Sequence, residues 1–136
     1  MEDCVKDVAK FALIRLGFKV NLLGFSYISY AVELVVERPK LIYHLHKGLY
    51  TEVCKHFDAG NEIAVDRCIR KSIDDTFECR SLLEINELFH SRIVEFEEKP
   101  TSGQLIGLIA EYYNLGLYQT DATYIKTKSK ATNASV

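Results

Sequence analysis

The 136-residue chain holds only two prolines and seven glycines, too few for the many turns of a β-sandwich. It has no apolar run approaching the roughly 20 residues that span a bilayer. Its N-terminus, MEDCVKD, lacks the basic-then-apolar layout of a signal peptide. A cytoplasmic protein with no membrane contact is therefore expected. The four cysteines (Cys4, Cys54, Cys68, Cys79) form no CxxC pair, so free thiols in a reducing compartment are the expectation. An excess of positive charge is missing too. The formal net charge is -2, which argues against an easy nucleic-acid reading, because DNA binders usually carry a basic surface.

What is present is the composition of one globular domain, with 48% hydrophobic and 26% charged residues. The charge is unevenly spread. Between Arg38 and Arg80 eight basic residues meet seven acidic ones, a net of +1, so the remainder of the chain carries -3.

Apolar spacing divides the chain into helices. Val5, Val8, Ala9, Ala12, Leu13 and Leu16 repeat at helical intervals over residues 2–16, with Gly17 as the stop. FKVNLLGF reads as a short extended piece leading to a helix from about Ser26 to Arg38, whose buried stripe is Ile28, Ala31, Val32, Val35 and Val36. Pro39 opens another helical turn, and LIYHLHKG reads as a short third helix. LYTEVCKHF follows, with Leu49, Val53, Cys54 and Phe57 facing inward, and DAGNE breaks the chain. The best-defined helix runs from about Glu62 to Phe77, and Val65, Cys68, Ile69, Ser72, Ile73 and Phe77 share its inner face. Residues 81–90 look helical. Thr101 and Gln104 match a capping box ahead of a last helix that carries Leu105, Leu108, Ile109 and Tyr112 inward and stops at Gly116. The domain is expected to span residues 1–118, with 119–136 a flexible polar tail. The fold class is all-α, about six helices, with no sustained strand alternation.

The pair LYTEVCKHF and 62–77, joined by DAGNE, has the proportions of a helix-turn-helix. With Val65 at zero, Arg70 falls at about 140°, Ile63 at about 160°, Asp74 at about 180° and Arg67 at about 200°, flanked by Asp66 at about 100° and Lys71 at about 240°. Arg67 or Arg70 suits the O6 and N7 acceptors of guanine, Asp66 the N4 donor of cytosine, and Ile63 a thymine methyl. Lys71 is better placed for a phosphate. On spacing alone, the same residues also fit an ordinary solvated face with i, i+4 charge pairing.

A resemblance bears on that choice. GFSYISYAVELVVERPKLIYHLHKGLYTEVCKHF and VDRCIRKSIDDTF resemble the C-terminal effector domain of the master response regulator family of sporulation initiation (stage zero sporulation protein A). The family's G-Y/F-x-Y-L/I stretch is matched by Gly24, Phe25, Tyr27 and Ile28. Its L-Y-P-x-I-A-K-K-Y/F helix is matched by Leu49, Tyr50, Val53, Lys55 and Phe57. Its V-E-R-A-I-R-H-A-I recognition helix stands against Val65 to Ile73, and its K-P-T-N-S-E-F-I signature against Lys99 to Ile106. The matches run in order from about residue 3 to 118. The resemblance implies a six-helix, winged-helix-like effector domain that binds tandem copies of a short asymmetric DNA box and engages the sigma subunit of RNA polymerase. It puts base contacts on Asp66, Arg67 and Arg70, a backbone contact on Lys71, and a sigma contact on Phe89, within a region corresponding roughly to 82–93. It also implies pairing of two copies on DNA through the last helix.

The sequence departs from that pattern at Ile63, where the family usually has a small hydroxyl residue, and at Ala64, where it has arginine. The turn DAGNEIA is one residue longer. The carboxylates of Glu84, Glu87, Glu95, Glu97 and Glu98 make the sigma-facing region and its connector more acidic than usual. The chain begins at the effector's first helix; its initiating Met and unusual tail favour a stand-alone protein over one with a receiver domain.

Other groupings have less to offer. His44 and His46, two residues apart, point to different helix faces, and Cys54 and Cys68 fall on apolar faces, so no metal is expected. His44, His46 and Lys47, with Lys55, are expected to face phosphates instead. No nucleophile and base converge, so neither an enzyme nor a cofactor is expected. Two functions remain. One is a sequence-specific regulator that reads the major groove of double-stranded DNA with the 62–77 helix. The other is a degenerate relative that kept the fold and acts through contacts with the sigma subunit or the full-length regulator.

Overall fold

A computed structural model describes residues 4–78, 83–89 and 99–120. Six α-helices are present among them: α1 (Val5–Leu16), α2 (Leu23–Glu37), α3 (Tyr50–Phe57), α4 (Glu62–Glu78), α5 (Leu83–Phe89) and α6 (Ser102–Asn114). No strand occurs among the described residues, so the architecture is the all-α one expected. The proposed tail beyond residue 120, Cys79 and the 90–98 connector lie outside the described residues.

The core is one apolar cluster to which all six helices contribute. Helix α1 buries Val8, Ala9, Ala12, Leu13 and Leu16 and ends at Gly17, whose φ of 97° is open to a residue without Cβ. Helix α2 runs through the centre, packing against α1, α4 and α6. It begins at Leu23, earlier than the residue pattern indicated. Gly24 reads in sequence as a breaker, but in the fold it lies inside the first turn, where a Cβ would come within 2.6 Å of the Cys68 carbonyl oxygen and closer still to Ser72 Oγ. Glycine is there because two helix backbones nearly touch.

Two further expectations change. LIYHLHKG is not an α-helix but a 3₁₀ turn, Pro39–Tyr43, followed by a wide turn, Leu45–Leu49. His44, with φ -133° and ψ 65°, breaks the helical path, and the Leu49 N–H reaches back five residues to the His44 carbonyl at 2.9 Å. Phe57, expected in the core, is 37% exposed. Its ring leans on Tyr27 and Tyr30 at the end of α3, while Tyr50 takes the fully buried place. Cys54, Cys68, Val36 and Leu108 are half-buried at the margin of the core.

Candidate nucleic-acid interface

Helices α3 and α4 form the helix-turn-helix, and local chemistry sets the turn. Asp58 (φ 53°) and Gly60 (φ 93°) adopt left-handed backbone, and the Asn61 side chain caps α4 by accepting the Ala64 N–H at 2.8 Å. The Thr51 hydroxyl lies 3.0 Å from Glu62 Oε1 and 3.2 Å from the His46 carbonyl oxygen, so its one proton serves either acceptor. This contact joins α3 to the first turn of α4. Hydrogen bonds from its own backbone N–H and from Thr51 hold the Glu62 carboxyl below its ordinary pKa, helped by the nearby His46 and Lys55.

The inner face of α4 buries Val65, Ile69, Ser72, Ile73, Thr76 and Phe77. That packing turns Ile63, Arg67, Arg70, Lys71 and Asp74 outward, with Asp66 and Asp75 half-buried beside them. All seven line one open depression on the outer face of the helix. The 3.6-residue period had placed five of these together with Asp74, and Ile63 is 66% exposed at the N-terminal end of the face.

The charges on this face differ in their engagement. Arg70 Nε lies 3.1 Å from Asp66 Oδ2, an i, i+4 pair in which the arginine side chain is 69% exposed and the aspartate 17%. Lys99 Nζ, just ahead of α6, reaches Asp74 Oδ1 at 3.1 Å. Arg67 and Lys71 make no hydrogen bond or ion pair with any described residue. The arrangement thus leaves one guanidinium and one ammonium available, holds a second guanidinium by an exposed pair worth about 0–1 kcal/mol, and neutralises one carboxylate.

The other candidate residues are dispersed. His46 lies in an adjoining depression between the wide turn, α4 and the start of α6, with its ring 5.3 Å from that of Tyr50. Lys47 and Lys55 are exposed on the wide turn and α3, outside both depressions. Phe89 is half-buried, with its ring edge 6.0 Å from Tyr112 of α6. Of the 82–93 region only α5 is described; Ile85 and Leu88 are buried there, and Glu87 pairs with Arg15 at 3.9 Å.

The residue pattern gave no sign of two features. One is the Lys99–Asp74 bridge, which joins residues 25 apart. The other is the buried Tyr50 hydroxyl, which has no hydrogen-bond partner. Among the described residues no group of three His, Cys, Asp or Glu side chains is placed to hold a metal, and no helix is long and apolar enough to cross a membrane.

A comparison with protein-family models agrees with this geometry. The model described as sporulation initiation factor Spo0A C terminal matches residues 9–113, most of the chain.

Proposed function

The chain belongs to the Spo0A C-terminal family, a DNA-binding regulatory family and not an enzyme family, and from that premise we propose that α4 reads a short box in the major groove of double-stranded DNA. The single observation that carries this reading is the outer face of α4. Arg67 projects unpaired and Arg70 is held only by an exposed i, i+4 partner. Each guanidinium matches the paired O6 and N7 acceptors of guanine. Ile63, exposed at the first turn, suits a thymine methyl, and Asp66 suits a cytosine N4 donor whenever Arg70 releases it. Lys71, with His46, Lys47 and Lys55 around it, supplies phosphate contacts that set register without reading sequence.

Two finer roles go with this reading. Phe89 and the acidic surface of α5 are the face offered to the sigma subunit, and two copies pair on tandem boxes through α6, whose C-terminal Leu115 is exposed. The site of action is the cytoplasm, where DNA and polymerase are found together.

The rival reading, a relative that acts only through protein contacts, draws on the same face. Asp66, Asp74 and Asp75 share the depression with the cations, and the whole chain carries -2. Selection from a pool of random duplexes decides between them. Recovery of one short box, bound more tightly than its scramble, supports base reading. Recovery of no preferred sequence at low salt leaves the protein-contact role.

A further inference from the structure

The depression that adjoins the α4 face has an unusual balance of donors and acceptors. It lies where the wide turn, α4 and the start of α6 converge. Helix α6 is 13 residues long, and its capping box satisfies two backbone donors: Thr101 Oγ1 accepts the Gln104 N–H at 3.1 Å, and Gln104 Oε1 accepts the Thr101 N–H at 3.0 Å. The N–H groups of Ser102 and Gly103 have no partner and line the depression at the positive end of the helix.

A second observation points to a ligand independently of the helix end. Tyr50 is 0% exposed, it lines the same depression, and its hydroxyl is buried without a hydrogen-bond partner. Burial pushes its pKa up, with the adjacent Ser102 pulling the other way. Native interiors rarely leave such a group unsatisfied. Arg70 and His46 border the site as well.

Two carboxylates face it, Asp66 and Asp74, and each is already engaged, by Arg70 and by Lys99. The acceptors are therefore spoken for, while two backbone N–H groups and a phenol remain open. Such a site takes a group that accepts several hydrogen bonds and carries negative charge. Gly103 keeps it accessible, since a Cβ there would already be 3.2 Å from Leu45 Cδ1.

We propose that this depression is an oxyanion site that seats a phosphate group, gripped by the Ser102 and Gly103 N–H groups and the Tyr50 hydroxyl. It rests on the DNA-binding reading for its source, a backbone phosphate beside the box that α4 reads. It would fix the duplex at a point one helix away from the base contacts.

The test follows the amide resonances of the full chain by NMR, with inorganic phosphate in one arm and the selected duplex in the other, both against chloride of equal ionic strength. Both ligands should displace the Ser102 and Gly103 resonances. Tyr50→Phe should weaken phosphate binding roughly three- to tenfold, the weight of one hydrogen bond, while its thermal midpoint stays level or rises because an unpaired buried hydroxyl has gone. If the duplex binds and these amides stay still, the site is overturned and the base-reading proposal survives. If phosphate moves them and no duplex binds, the backbone is overturned as the source and the base-reading proposal falls with it. Indifference to both ligands removes the site altogether.

Discussion

Arg67 and Arg70 carry the same charge on the same face but differ in their starting state. Arg67 has no partner among the described residues, whereas Arg70 must leave Asp66 before both of its forks can face a base. If each reads guanine, Arg67→Ala and Arg70→Ala should each cost about 1–3 kcal/mol on the selected box and much less on scrambled DNA. Fluorescence anisotropy on the two duplexes checks this, and equal losses on both would assign that arginine to the backbone. This much was legible in the chain. A helix's outward residues follow from its period once the buried stripe is known, and Val65, Ile69 and Ile73 mark that stripe plainly. The pairing of Lys99 with Asp74 was not legible, because no local rule brings a residue ahead of α6 onto the face of α4. Tyr50 was misread for a related reason: Phe57 has the more apolar side chain, yet the direction of the short helix α3 gives the core to Tyr50.

At the level of elements, two contacts set where α4 lies. The first is Gly24. A methyl there would press on the Cys68 carbonyl, which is backbone and has no rotamer to yield, so Gly24→Ala should destabilise the fold by about 1–3 kcal/mol. Urea unfolding followed by circular dichroism measures the loss. The sequence shows a glycine in this place and says nothing of what it approaches, which is why the start of α2 was displaced to Ser26. The second contact is Thr51 with Glu62. The folded pKa of Glu62 is lowered, so the contribution is complete above about pH 4.3, the usual glutamate value, and fades as pH falls through the lower folded value. Thr51→Val should therefore reduce the thermal midpoint near neutral pH and converge with the parent protein in acid. A constant gap across the titration would mean that the hydroxyl acts through packing alone. The capping boundary of α6, by contrast, was readable residue by residue, because Thr101 and Gln104 satisfy one another within a single turn.

For the molecule as a whole, a net charge of -2 limits what electrostatics supplies. Non-specific DNA affinity should be weaker than the roughly 10⁻⁴–10⁻⁶ M common near physiological salt. Affinity for the selected box should still decline with salt, by about 0.9 in log K per tenfold rise for each phosphate neutralised. Lys71→Ala should reduce that slope by about one and leave the preferred sequence unchanged. Titrations at several salt concentrations report both quantities, and an unaltered slope would remove Lys71 from the backbone contacts. The all-α class and the family were open to reading because helical periodicity and four ordered motifs extend over most of the chain. The relation between the α6 terminus and the wide turn came only with the packed structure, since it depends on how three segments meet.

The near-touching backbones at Gly24 have one more consequence. Because α4 is seated there by main-chain atoms, neither rolling about its axis nor sliding along α2 is open to it, whatever its solvent-facing residues are. Those residues are thereby uncoupled from the scaffold and behave like an interchangeable keypad. Relatives that keep the glycine are free to drift in target preference without refolding, and a handful of exchanged side chains should be enough to transplant one member's preference onto another.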